Sequence, residues 1–281
     1  MNWLFLPVVA LAALLFHAGN KAGPRIATAR GRLLWGAAAA ACAVPGILFA
    51  TYYFHWFDDA VWFYRYRSLP WTELSAAGAG LLAGLVYSWL AVTGRSWRIA
   101  VPALLLAGLF VPYMKAVVAP LDTAGLTDQC PDGVCLQSTA STCGPASAAS
   151  ILRLFDIQES ESTLAQEAFT TSGGTENWYL ARTLRRRGFT VDYVVLDRPV
   201  TRLPYPSVAG VRLPGGAGHF IAVLGEAGDV YVIGEPMRGK LTVPKSRLGS
   251  AYDFTGFFMV VGKHGDPAPT PRGSSAPGSN P

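Results

Sequence analysis

The sequence predicts two unlike parts: an all-α bundle of about four transmembrane helices, then an α+β domain whose helices precede an antiparallel sheet. Three observations predict this. The chain of 281 residues is 51% hydrophobic and only 15% charged, with mean hydropathy +0.29, too apolar for an ordinary soluble domain. Nearly all of the apolar excess lies before residue 119. Beyond it, helix-type patterns give way to short Val- and Ile-rich runs separated by Gly and Pro, the order of an α+β domain.

Four apolar runs are long enough to cross about 30 Å of hydrocarbon: Trp3–His17, Leu33–Phe54, Leu74–Val92 and Ile99–Val118. The first lacks the basic start and small-residue cleavage site of a signal peptide, so it reads as a retained span. Lys21, Arg25, Arg30 and Arg32 lie between the first two runs, and Arg95 and Arg98 between the last two. The middle loop carries Arg65 and Arg67 beside Asp58, Asp59 and Glu73. Basic residues favour the cytoplasmic side, so the first and third loops face inward. Both ends of the chain, and the second part with them, are then expected outside the cytoplasmic membrane.

The net charge of +5 sits largely in those loops, where it speaks of membrane orientation rather than nucleic acid. No zinc or P-loop pattern occurs, and neither cofactor nor metal is expected. The aromatic run from His55 to Arg67 reads as an interfacial helix, because Trp and Tyr favour the boundary between lipid and water. His55, Asp58 and Asp59 there lack the further ligand that a metal site needs. Cys42, inside the second run, reads as a small packing residue.

A connector over residues 119–133 leads to a domain expected over 134–263 and a disordered Pro/Gly/Ser-rich tail over 264–281. Cys130 and Cys135 are close enough in sequence to form a small disulfide loop in an oxidising compartment. Helices are expected at Cys143–Phe155, at Ser162–Phe169 opening on a capping residue, and at Glu176–Arg187 after Thr175 as N-cap. Arg182, Arg185, Arg186 and Arg187 suit the C-terminal end of the third helix and read as a solvated face. Strands are expected at Thr190–Leu196, Ser207–Leu213, His219–Gly225, Val230–Gly234 and Gly256–Gly262.

The chemistry-bearing stretch is Gln137 to Ala146. Cys143 stands where a polar turn meets a helix, and a helix N-terminus favours a thiolate. Pro145 is tolerated in the first helical turn, where its missing N–H would be unpaired anyway. Gln137 could offer its amide to an oxyanion beside the Cys143 N–H. Of four histidines, His17 and His55 border membrane runs and His264 opens the tail, which leaves His219 as the partner of Cys143. A hairpin centred on Ala227 would set His219 opposite Glu235 on the same sheet face. Asp253 ranks behind it.

Gln137, Cys143-Gly144-Pro145-Ala146, Gly218-His219-Phe220 and Glu235-Pro236 together resemble the bacteriocin-processing, double-glycine cysteine peptidases of the papain-like group. The resemblance covers residues 134–263. It implies a papain-like fold, with Cys on the helical side and His on the sheet, and catalysis by Cys143, His219 and an acid, with Gln137 in the oxyanion hole. The family usually has Asp where this chain has Glu235. The relatives are usually fused to a peptide-exporting ATPase, for which this chain has no Walker motif.

The expected function is therefore a membrane-anchored cysteine peptidase acting on a peptide or protein at the outer face of the cytoplasmic membrane. Its partners are the substrate, the lipid bilayer and a peptide exporter or other membrane protein, with no nucleic acid. An acyltransferase using the same thioester, and a catalytically inactive peptide-binding module, are the competing readings.

Overall fold

A computed structural model describes residues 3–51, 56, 57, 59–94, 96–110 and 113–263. The expected disordered tail, and His55 and Asp58 of the aromatic run, lie outside the described residues. The chain divides into two compact units, one running to Leu121 and the other starting at Asp122.

The first unit is helical: α1 (Phe5–Ala22), α2 (Ala29–Thr51), α3 (Val61–Ser68), α4 (Gly78–Val92), α5 (Ala100–Phe110) and α6 (Met114–Val118). Three helical stretches are long and apolar enough to span a membrane: Phe5–Arg25, Ala29–Phe49 and Thr72–Ala91. The fourth expected span differs. Its described residues form a shorter apolar helix, Ser96–Phe110, followed by the separate α6. Pro112 is among the residues between them and lies outside those described.

Glycine lets α1 and α4 touch. A Cβ on Gly80 would meet the Ala12 carbonyl of α1, and one on Gly84 the Phe16 carbonyl. Two small residues four apart permit such close packing in lipid, where no hydrophobic force drives helices together. The aromatic segment is only partly a surface feature. Trp62 is exposed, but Phe63 is buried, and Arg67 is buried with its guanidinium 4.0 Å from the Phe49 ring centre.

The second unit is α+β, as expected. Three helices, α7 (Cys143–Arg153), α8 (Glu161–Glu167) and α9 (Asn177–Arg186), precede six strands. These are β1 (Phe189–Val195), β2 (Ser207–Arg212), β3 (Gly218–Ala227), β4 (Val230–Glu235), β5 (Gly239–Pro244) and β6 (Asp253–Lys263), with the short α10 (Leu248–Ala251) before the last. They form one antiparallel sheet in the order β1-β6-β2-β3-β4-β5. The edge strand β5 was not among the five expected, although Leu241 and Val243 alternate with Lys240 and Thr242.

Ile221, Val223, Ile233, Phe258 and Val260, from the central strands, share one hydrophobic core. Helix α7 is buried along its whole length from Cys143 to Leu152. Its small residues allow this: Ser147 Oγ donates to the Phe220 carbonyl of β3 at 3.2 Å, so helix and strand sit almost backbone to backbone. A Cβ on Gly144 would come within 3.2 Å of Thr175 Cβ and 3.5 Å of the Phe220 ring.

Two capping expectations shift. Helix α8 is capped by Ser160, whose hydroxyl accepts from the Thr163 N–H at 2.9 Å, and not by Ser162. The N-cap of α9 is Glu176 rather than Thr175. The basic end of α9 is also less solvated than expected. Arg187 pairs with Glu159 at 2.9 Å and Glu167 at 2.7 Å, and Arg186 reaches Glu167 at 3.1 Å. Arg185 donates to the Val191 carbonyl at 2.6 Å, and Arg182 is buried with its guanidinium 5.3 Å from the Tyr179 ring.

Candidate active site

Cys143 is the first residue of α7, and Thr142 ahead of it has left helical geometry. The preceding turn is tightly bonded. Thr142 Oγ1 accepts from the Thr139 N–H at 3.1 Å, and the Thr142 N–H donates to the Thr139 carbonyl at 3.3 Å. Cys143 therefore sits at a fixed helix start, with its own N–H among those that no helical carbonyl satisfies.

His219, the second residue of β3, and Glu235, the last of β4, are both almost wholly buried, 5% and 1% exposed. His219 Nε2 lies 2.7 Å from Glu235 Oε1. The Cys143 thiol is the ring's other interacting neighbour, and like Glu235 it raises the imidazole's pKa. The geometry of the hairpin is not the expected one. Strands β3 and β4 turn on Gly228-Asp229, with Ala227 paired to Val230. A bulge at Leu224 then shifts the ladder, so that Val223 pairs with Ile233 and Ala222 with Gly234. Glu235 thus falls beside Ile221, two residues from its expected partner. An even displacement keeps the face of the sheet. His219 and Glu235 meet diagonally, a separation that the longer Glu side chain can bridge.

The second carboxylate oxygen of Glu235 is held as well. Arg238 Nη2 lies 3.6 Å from Oε2, and the Tyr252 hydroxyl is a further neighbour that lowers the carboxyl's pKa. Arg238 also donates to the Tyr252 hydroxyl at 3.3 Å, while the Met237 N–H donates to Glu235 Oε1 at 3.3 Å. Neither Tyr252 nor Arg238 was legible in the sequence as part of this site: the tertiary fold brings Tyr252 to Glu235, and Arg238, three residues along, reaches back through the β4–β5 turn.

These contacts set the charges. Burial alone would drive the proton off His219, but the bonds to Cys143 and Glu235 outweigh it and push its pKa up to about 9. Burial works against charge on Glu235 too, yet His219 and the Met237 and Tyr252 donors hold its carboxyl below the usual range. Burial, then the neighbouring Glu235 charge, pushes Tyr252 up to about 12. Asp253, the fallback acid, begins β6 opposite Arg212 of β2, and it is Glu235 that meets His219.

Gln137 lies in an irregular segment clamped on both sides. Its N–H donates to the Pro236 carbonyl, next to Glu235, at 2.8 Å. Ser138 gives its N–H to Glu161 Oε1 at 2.8 Å and its hydroxyl to Glu161 Oε2, a carboxylate only 1% exposed. The Gln137 side chain donates from Nε2 to the Thr139 carbonyl at 2.9 Å, and its buried Oε1 has no protein partner.

Just upstream, Cys130 and Cys135 are joined in a disulfide. The loop is closed further by the Leu136 N–H donating to the Gln129 carbonyl at 2.8 Å. The Cys135 N–H donates to Ser150 Oγ of α7 at 2.8 Å, so the bridge is tied to the helix that carries Cys143.

Residues 133–265 match the family model described as Peptidase C39 family. An uncharacterized protein of Methanothermobacter marburgensis is 28% identical over 130 residues, which span 46% of this chain and 88% of that protein. Among solved structures, the peptidase domain of Streptococcus ComA, a bifunctional ABC transporter involved in quorum sensing, is 22% identical. That match covers 46% of this chain and 97% of the domain, with a TM-score of 0.40. A double-glycine-motif protease from an AMS/PCAT transporter, solved with its leader peptide, is 18% identical. It covers 50% of this chain and 96% of its own, also at a TM-score of 0.40. The match to the Peptidase C39 family model thus falls on residues 133–265, and three apolar helices precede it.

Proposed function

We propose that the chain is a membrane-anchored cysteine peptidase that cleaves a peptide or protein through Cys143, His219 and Glu235. The observation that carries this reading is a buried imidazole bonded to a buried carboxylate, Nε2 and Oε1 2.7 Å apart, with the imidazole pKa raised by the thiol at the start of α7. A structural histidine could be buried neutral; one held protonated between a thiol and a carboxylate is arranged for chemistry.

The steps follow from the geometry. His219 takes the Cys143 proton, giving a thiolate–imidazolium pair that Glu235 stabilises through Nε2. The thiolate adds to the scissile carbonyl carbon. The oxyanion accepts from the Cys143 N–H and from the Gln137 Nε2 hydrogen not donated to Thr139. The C–N bond breaks as His219 gives its proton to the leaving amine. Water, losing a proton to His219, then hydrolyses the thioester and restores the thiol. Glu235 does not take a proton; it fixes the ring and its charge.

The outer side of the membrane is supported by the loop charges and by the Cys130–Cys135 bridge, which persists in oxidising compartments. It requires that the stretch from residue 96 to 118 cross as a fourth span, since three crossings would return the domain to the cytoplasmic side. Incubating wild type and Cys143→Ala with the host's envelope proteins, and reading new N-termini by mass spectrometry, tests the activity. Termini that appear with wild type alone support it, and identical terminus sets contradict it.

A further inference from the structure

A pocket of about 570 Å³ opens on the Glu235 side of His219. Its walls come from the end of β2 (Arg212, Leu213), the β4–β5 turn (Met237, Arg238) and the start of β6 (Tyr252, Asp253). The volume is that of a site for a side chain or small ligand. The proposed mechanism uses none of this space beyond the wall that Glu235 and its holders provide.

Its position has a chemical meaning. The imidazole protonates the leaving amine, so the substrate chain on the amine side must depart past His219. Glu235, 2.7 Å from Nε2, walls the pocket, so a leaving chain that passes the imidazole reaches it about two or three extended residues beyond the scissile bond, at about 3.3 Å per residue.

The charges at the pocket choose the occupant. Arg212 lines it with no ion-pair partner among the described residues. Arg238 is 59% exposed at its side chain, so from its place beside Glu235 and Tyr252 its guanidinium still faces the pocket with donors to spare. Against them stand Asp253 at the rim and Glu235, whose charge is already matched by His219. The balance is one positive charge in excess. The apolar walls (Val211, Leu213, Pro214, Met237) leave room for the stem of a carboxylate-bearing side chain.

We propose that this pocket is a subsite for an acidic side chain carried on the leaving half of the substrate, two to four residues after the cleaved bond. The inference rests on the peptidase reading above and names its substrate class. A guanidinium fork suits a carboxylate, and a pair that forms only with the correct substrate contributes to selection.

The test is cleavage of a proteome-derived peptide library by the purified full chain in detergent, with both products of each cut sequenced. For wild type, Asp and Glu should be enriched several-fold at the second to fourth positions after the cut. In Arg212→Gln the enrichment should fall toward background, and in Arg212→Glu it should turn toward Lys and Arg. Cleavage with no acidic enrichment there, enrichment only before the cut, or enrichment unchanged in both variants would overturn the subsite while leaving the peptidase intact. No cleavage by wild type would overturn the peptidase reading, and the subsite with it.

Discussion

His219 and Glu235 meet on a diagonal of the β3–β4 hairpin, 2.7 Å apart: the two-residue turn at Gly228-Asp229 sets Glu235 off the position directly opposite, and the bulge at Leu224 brings it back by one residue. The longer acid and the displaced register belong together. A Glu whose outer oxygen faces Arg238 delivers its inner oxygen to Nε2.

That arrangement orders the effects of substitution. Glu235→Gln should lower kcat by orders of magnitude, as the equivalent loss of charge in a serine triad costs about 10⁴. Glu235→Asp should keep more activity than Gln but less than wild type, because it retains the charge and shortens the reach across a diagonal. Tyr252→Phe removes one donor from the carboxylate and should cost about tenfold in kcat with KM little changed. Steady-state kinetics on one cleaved peptide checks all three. A Tyr252→Phe effect confined to KM would count against its holding Glu235.

The raised pKa of His219 predicts two pH effects. The imidazolium is the acid that the leaving amine needs, so kcat/KM should fall as pH passes about 9. Glu235→Gln should bring that limb to lower pH. For stability, the folded value of about 9 lies above the unfolded value of 6.5. The stabilisation is therefore complete below pH 6.5 and is lost as pH rises through 9, by on the order of 3 kcal/mol. Denaturant melts between pH 6 and 10 should show this slope in wild type and its loss in His219→Ala.

The Cys130–Cys135 bridge closes a short loop, so its removal should cost only about 2 kcal/mol. Because Cys135 bonds Ser150 on α7, the loss should also reach the site. Cys130→Ser should lower Tm by several degrees and reduce kcat modestly. Unchanged Tm and kcat in the variant would show that the bridge supports neither the fold nor the site.

Topology can be read directly. A C-terminal alkaline phosphatase fusion should be active and a green fluorescent protein fusion dark, because six basic residues lie in the first and third loops against two in the second. The reverse pattern would place the domain in the cytoplasm, as three crossings require.

Much of this architecture is legible in the residues. The apolar first half, the order of helices before strands, and Cys143 at a polar-to-helical boundary are local patterns, and the position of His219 follows from the scarcity of histidine. What escapes is set by tertiary structure. The two-residue turn at Gly228-Asp229 and the bulge at Leu224 together shift the ladder beyond the bulge by two residues, which alternation cannot reveal, because an even displacement leaves the side chains there on their face. The short edge strand β5 has only two apolar residues, Leu241 and Val243, to mark it. Tyr252 and Arg238 are far from His219 in sequence. Hydropathy alone joined residues 99–118 into one span, whereas the described helices are Ser96–Phe110 and Met114–Val118. The Glu161 carboxylate that holds Ser138 carries no sequence signal, since an acid at a helix start is usually read as a favourable helix end.

The central claim is that His219 makes Cys143 a nucleophile. Iodoacetamide labelling at pH 6, followed by peptide mapping, tests it on the whole protein. An ordinary thiol is almost wholly protonated at that pH, whereas a thiolate paired with an imidazolium reacts. Cys143 in wild type should be alkylated at least tenfold faster than Cys143 in His219→Ala. Equal rates in the two proteins would contradict the account.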